Sequence, residues 1–283
     1  LTFRIFILMT LILFAGCGDE YYGSGPDDPE PLTTVIESEP SLSPDGNYIY
    51  YISTDTTDSF YSGIFRISLD NLSRQKLVHG TGYHSPTVGS DNRTVAYLKD
   101  GRINYFSLAN LSGRESPVTD TFYTIFYLRD TILIGGRNDS LFLITDSGEV
   151  SRMPIESGWD PCYIAEDRFV YFSGEASDFY AFRTTIFAID PDSDTLLHLS
   201  MSARPHWPTL AENFDHIAFD IFDGAYRFIY TAPLGGNSPR FIAESEHIRP
   251  LYLNDGRLLF TGPNGRFYYS DYEGAPAVPL IPN

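Results

Sequence analysis

The 283-residue chain is 42% apolar, and its 37 acidic residues against 19 basic ones leave a formal charge of −18. So acidic a surface repels phosphate backbones and anionic headgroups, which excludes nucleic acid as a partner. With 20 Tyr, 21 Phe, 23 Gly and 19 Pro against only 3 Met, the composition favours strands and turns, and the length suits one large all-β domain or two smaller ones.

The chain opens with LTFRIFILMTLILFAGCGDE: one cation, Arg4, then an apolar run from Ile5 to Ala15. That run is short for a bilayer-spanning helix and ordinary for the core of an export signal. Ala15 and Gly16 directly before Cys17 resemble the lipobox of bacterial lipoproteins, in which the peptidase cuts before a cysteine carrying diacylglycerol, although Phe14 replaces the usual Leu. The resemblance implies a signal peptide over 1–16, lipidation of Cys17, and an exported protein anchored in the cell envelope. Gly18, rather than Asp, after the cysteine resembles signals for the outer membrane, with the protein facing the periplasm or the cell surface. Cys162 is the one remaining cysteine and is expected to be a small buried hydrophobe. Residues 18–32, GDEYYGSGPDDPEPL, are acidic and rich in Gly and Pro, so 17–38 reads as the lipidated cysteine and a flexible tether.

From Glu39 onward one pattern recurs. It reads PSLSPDGNYIYY at Pro40, PTVGSDNRTVAY at Pro86, TIFYLRDTILIG at Thr124, PCYIAEDRFVYF at Pro161, PTLAENFDHIAF at Pro208 and PLYLNDGRLLFT at Pro250, spaced 37 to 47 residues apart. Nine positions after each anchor stand Ile49, Val95, Leu133, Val170, Ile217 and Leu259, and two positions after it Leu42, Val88, Phe126, Tyr163, Leu210 and Tyr252. A slip of one residue would reverse every facing, so these columns fix the register and mark core positions. Two further short strands follow each hairpin, giving four antiparallel strands per repeat. Residues 39–283 therefore read as an all-β, six-bladed β-propeller. Either AVPLIP near the C-terminus or TTVIE before the first repeat is available as the last outer strand.

Pro-x-apolar-Ser-Pro-Asp-Gly followed by an Ile-aromatic strand resembles the WD-like repeat of TolB-type periplasmic propellers and of tricorn- and dipeptidyl-peptidase-type propellers. Only SPDG at Ser43–Gly46 matches in full. The resemblance implies the architecture and carries over no catalytic residue, because TolB's α/β domain and the hydrolase domain of the peptidases find no counterpart here.

No Gly-x-Ser-x-Gly elbow, Walker A loop, dinucleotide-binding glycine fingerprint or His-Glu-x-x-His occurs. The string Asp190-Pro191-Asp192-Ser193-Asp194 has alternating carboxylates, but Thr195 and Met201 break a calcium-loop pattern, leaving an acidic hairpin turn. No catalytic residue, metal or cofactor is expected. The loops entering the innermost strands surround one mouth of a propeller's channel. They carry Glu39, His84 with Ser85, Tyr123, Trp159 with Asp160, His206 with Trp207, and Arg249. Such a ring suits a peptide, a glycan or a small polar ligand, or simply packs and caps neighbouring blades. The first functional expectation is a non-enzymatic, monomeric, lipid-anchored scaffold that binds an envelope protein or peptide. The alternative is a glycan- or small-ligand-binding propeller related to lyases or glycosidases, with Glu39 and Asp160 as a candidate acid and base.

Overall fold

The computed structural model describes residues 35–129, 131–163, 169–178, 181–193, 195–199, 205–211, 215–224, 226–234, 238–245, 249–262, 264–271 and 276–281. The signal segment, Cys17 and most of the tether lie outside them. Among the described residues twenty-four strands form six antiparallel sheets of four, each a simple meander, with one short 3-10 turn at Ser59–Tyr61. The blades occupy 35–79, 83–115, 124–152, 159–199, 205–245 and 251–279.

The second strand of each blade is apolar on both faces because each sheet is covered on both sides by its neighbours. Ile49, Tyr50 and Tyr51 are consecutive and each at most 1% exposed. The column nine residues after the anchor is fully buried in every blade, from Ile49 to Leu259. One apolar cluster fills each interface between adjacent blades; the last joins Ile49, Tyr51 and Ile67 of blade 1 to Leu259 and Phe267 of blade 6. In the column two residues after the anchor, Val88, Leu210 and Tyr252 are buried, whereas Leu42 and Phe126 are half-buried and border the central channel.

Val278–Pro279 forms the outer strand of blade 6, so the C-terminal candidate closes that sheet. The upstream candidate has another role. Val35–Leu42 is the innermost strand of blade 1, which brings Val35–Ser38, expected in the tether, into the propeller. Glu37, 1% exposed, clasps the ring: its carboxylate accepts from the Phe267 amide at 3.0 Å and pairs with Arg74 at 2.7 Å and Arg266 at 3.3 Å. Its backbone amide donates to the Gly265 carbonyl at 2.7 Å.

The anchor prolines mark no strand boundary in four of the blades; they sit in bulges inside the innermost strands. Pairing with the second strand jumps from Ser38 to Ser41, His84 to Thr87, Trp159 to Cys162 and His206 to Thr209, skipping two residues each time. Proline has no N–H for the ladder, so a bulge accommodates it without loss. The residue before it, Glu39, Ser85, Asp160, Trp207 or Arg249, has φ between 49° and 75°. Positive φ is uncommon outside glycine, and a bulge re-aims the side chain it carries. Blade 3 has Thr124 in place of proline and pairs without a bulge at that point, Thr124 against Gly136; its register shift lies at the other end of the pair, between Ile132 and Leu133.

Candidate functional site

The five positive-φ residues that precede the prolines, with Tyr123 of blade 3, converge on the mouth of the channel. Two acid–imidazole pairs span neighbouring blades. His84 Nδ1 lies 2.9 Å from Glu39 Oε1, and His206 Nδ1 lies 3.2 Å from Asp160 Oδ2. Both acids are buried, while the His84 and His206 side chains are 57% and 37% exposed. Each histidine is raised by its carboxylate hydrogen bond, against the opposing effect of burial.

Arg249 reaches across the axis from blade 6. Its Nη2 donates to Ser85 Oγ at 2.7 Å and to Thr124 Oγ1 at 2.6 Å, its Nη1 stands 3.8 Å from Glu39, and its guanidinium lies 4.0 Å from the Trp207 ring centroid. One side chain thus touches blades 1, 2, 3 and 5. Burial lowers the Arg249 pKa, opposed by the charges of Glu39, Asp160 and Cys162. Burial also pushes Glu39 up, but His84, Arg249 and the Ser85 amide together pull it below the ordinary carboxylate value. Glu39 is therefore an ionised structural anion, unsuited to donating a proton.

The half of the mouth next to blades 3, 4 and 5 is open. A cavity of about 560 Å³ there is lined by Tyr123, Trp159, Trp207 and Phe222 with Asp139, Asp160, Glu175, His206 and Arg227. Behind it, Asp220 is fully buried opposite His206 in the sheet and pairs with Arg227 through one oxygen. Asp220 Oδ1 and Trp159 Nε1 are buried without a hydrogen-bond partner among the described residues, as is Arg249 Nε. Burial pushes Asp220 up to about 6, against the pull of Arg227. Tyr123 immediately precedes blade 3's innermost strand and its ring packs against the second, where a Cβ on Gly136 would come within 2.9 Å of it.

In an antiparallel meander the second-to-third strand loops return to the end where the innermost strand enters. Phe60 and Tyr61 of blade 1 and Phe222 and Tyr226 of blade 5 sit in or beside such loops, between 47% and 62% exposed, and Tyr123 is 44% exposed. The mouth face therefore carries an aromatic rim. A second cavity, about 300 Å³, lies at the other end of the channel and is lined by Cys162 with Leu42, Val88, Phe126, Leu210 and Tyr252. Cys162 is intermediate in exposure on that wall, which corrects its expected place in the core: it stands one residue after a bulge proline, on the channel side.

All seven candidates, Glu39, His84, Tyr123, Asp160, His206, Trp207 and Arg249, lie around one mouth, but in two sets. Glu39 and Asp160 are each held by the histidine of the next blade. Asp220 and Arg227 are not among the candidates that the repeat pattern offers, although an acid inside the apolar run HIAFDIF is a signal. Asp190 accepts from the Asp192 amide and the Ser193 hydroxyl, and Asp192 pairs with Arg129, so the described part of the alternating acidic string is a hairpin turn. Among the described residues no three His, Cys, Asp or Glu side chains gather to hold a metal ion.

Neither a family model nor a curated protein matches the sequence. Solved structures do match the fold. TolB from Acinetobacter baumannii superposes with a TM-score of 0.62 at 14% identity, over 87% of this chain and 63% of that one. The fold is TolB-like. An oligogalacturonate lyase in complex with manganese gives a TM-score of 0.56 at 16% identity over 87% of this chain and 77% of the lyase. The β-propeller domain of the Trilobed protease from Pyrococcus furiosus, described as having an open velcro topology, gives 0.51 at 13% identity over 87% and 82%. Each likeness is one of fold alone, and the chain spans less than two thirds of the TolB chain.

Proposed function

We propose that the chain is a non-enzymatic, lipid-anchored envelope propeller whose mouth face holds a segment of another protein or a peptide. The observation that carries this reading is the open half of the mouth, a cavity of about 560 Å³ with aromatic walls, surrounded on the same face by exposed Phe60, Tyr61, Phe222 and Tyr226. Exposed aromatic side chains grouped on one face around a concavity are typical of interaction sites rather than of bare surface. Anchoring at Cys17 and an outer-membrane position belong to the same proposal and rest on the lipobox-like Ala15-Gly16-Cys17.

The second reading, a glycan or small-ligand site at the same mouth, draws on the two indoles that line it. Asp139, Asp160 and Glu175 repel an anionic saccharide such as an oligogalacturonate, which leaves neutral glycans under this reading.

A photo-crosslinking residue placed at Phe222 or Tyr61, in intact envelopes, tests the binding face. Discrete adducts at both positions, absent from a control at exposed Leu111 on the outer hairpin of blade 2, are expected. Equal labelling at Leu111, or none at Phe222 and Tyr61, rejects the protein-binding reading. For the anchor, Cys17→Ser is expected to abolish lipid labelling and release the protein from the membrane fraction.

A further inference from the structure

We propose that the mouth cavity receives a cationic group, a protonated amine or a guanidinium, carried on the bound chain. This rests on the binding reading above and names the chemistry that the site selects. Four aromatic side chains, Tyr123, Trp159, Trp207 and Phe222, wall the cavity, and aromatic faces attract cations and not anions. Three carboxylates, Asp139, Asp160 and Glu175, line the same space. Asp139 and Glu175 are exposed and carry no ion pair among the described residues.

The cavity's single arginine does not reverse that balance. Arg227 is paired with Asp220, whose second oxygen has no partner, so an uncompensated buried oxygen stands directly behind the cavity wall. Arg249, the next cation, is taken up by Glu39, Ser85 and Thr124 and stacks on Trp207. With His206 held by Asp160, no unpaired cation among the described residues lining the cavity is left over for an anionic guest. At about 560 Å³ the space is large enough for a long side chain together with part of its backbone, which favours a group borne on a peptide over a bare ion.

The chain offers its own reporter, because its only two tryptophans, Trp159 and Trp207, both line the cavity. The experiment titrates the full chain, at fixed ionic strength and pH 7.5, with three end-capped peptides that differ at one position: Ala-Lys-Ala-Ala, Ala-norleucine-Ala-Ala and Ala-Glu-Ala-Ala. A saturable change in tryptophan emission is expected with the lysine peptide, with about tenfold weaker binding of the norleucine peptide and none of the glutamate peptide. The double variant Asp139→Asn/Glu175→Gln is expected to weaken lysine-peptide binding about tenfold while leaving the thermal unfolding midpoint unchanged, since both acids are exposed. Equal binding of the neutral or acidic peptide, no binding of the lysine peptide, or lysine binding untouched by the double variant overturns the proposal. Crosslinks at Phe222 and Tyr61 alongside a failed lysine titration would sink the cationic assignment and leave the binding face standing.

Discussion

Glu39 with His84 and Asp160 with His206 are the same acid–imidazole pair met twice, three blades apart, yet one sits beside the Arg249 crossing and the other opens on a cavity. The difference comes from what each receives from a third blade. Blade 6 sends Arg249 across to the first pair, where the hydroxyls of Ser85 and Thr124 receive it. Blade 3, at the matching position for the second pair, contributes Tyr123, which lies back on Gly136 and leaves the space empty. Buried polar groups that satisfy one another make a rigid brace, whereas unpartnered ones at a cavity are where a guest adds interactions. Equivalent positions in a repeat fold thus diverge into a structural half and a binding half.

The largest expected effect breaks the brace. Arg249→Ala leaves buried Glu39 with His84 alone as an ion-pair partner, strips Ser85 and Thr124 of their guanidinium donor, and is expected to cost about 3–5 kcal/mol of unfolding free energy, as loss of one partner of a buried pair does. His206→Ala, in the open half, removes a side chain already 37% exposed but leaves the buried Asp160 without its imidazole, and is expected to cost about 1–3 kcal/mol. Urea unfolding of the two variants measures the contrast, and comparable losses would erase the distinction between the halves.

How much of this was legible in the sequence follows from which contacts are local. The blade count and register were readable because a residue such as Val95 or Ile217 has to face a neighbouring blade whatever the loops do. The mouth residues were readable because loop order alone places them on one rim. Their partners were not, since Glu39 and Arg249 are brought together by ring closure and nothing near either residue announces the other. The residues before the prolines, expected in loops entering the innermost strands, lie with Pro40, Pro86, Pro161 and Pro208 in bulges within those strands, which a repeat alignment does not reveal. Glu37 escaped notice for the opposite reason, as its short strand had two plausible sheets to join and the clasp depends on which one it took.

Titration sharpens the comparison with the next largest effect. Asp220, in the open half, is pushed up to about 6 by burial, whereas Glu39, in the braced half, is held below the ordinary carboxylate value. The signs are opposite. Because the folded pKa of Asp220 is raised, its contribution to stability is complete below its unfolded pKa and is lost as pH rises through about 6. The contribution of Glu39 is present above its unfolded pKa and is lost as pH falls through its depressed folded value. Carboxyl carbon NMR should therefore find one midpoint near 6, missing in Asp220→Asn, and a second below the ordinary glutamate range, missing in Glu39→Gln. Acidification from pH 7.5 to 5.5 should also weaken a bound cation several-fold. Asp220 takes up a proton and His206, already raised by Asp160, gains charge, in a cavity that Asp139, Asp160, Glu175 and Arg227 also line. A flat profile would detach Asp220 and His206 from the cavity.

The smallest expected effect concerns the blade that breaks the pattern. Thr124 stands where the other five repeats have proline, and its hydroxyl accepts from Arg249 at 2.6 Å. Thr124→Val keeps the β-branched shape and removes only that acceptor, leaving Nη2 with Ser85, so a loss of about 1–2 kcal/mol is expected. Thr124→Pro restores the repeat consensus and removes the hydroxyl, but it also forces a bulge into a strand that pairs continuously with Gly136 and Gly135. It should therefore cost more than Thr124→Val. If the proline variant proves equal to or more stable than the valine one, the missing proline is mere drift, and the crossing of Arg249 owes nothing to the irregular blade. If the valine variant is the milder of the two, blade 3 gave up its bulge in exchange for a hydroxyl at the axis, and the asymmetry of the mouth begins with that one residue.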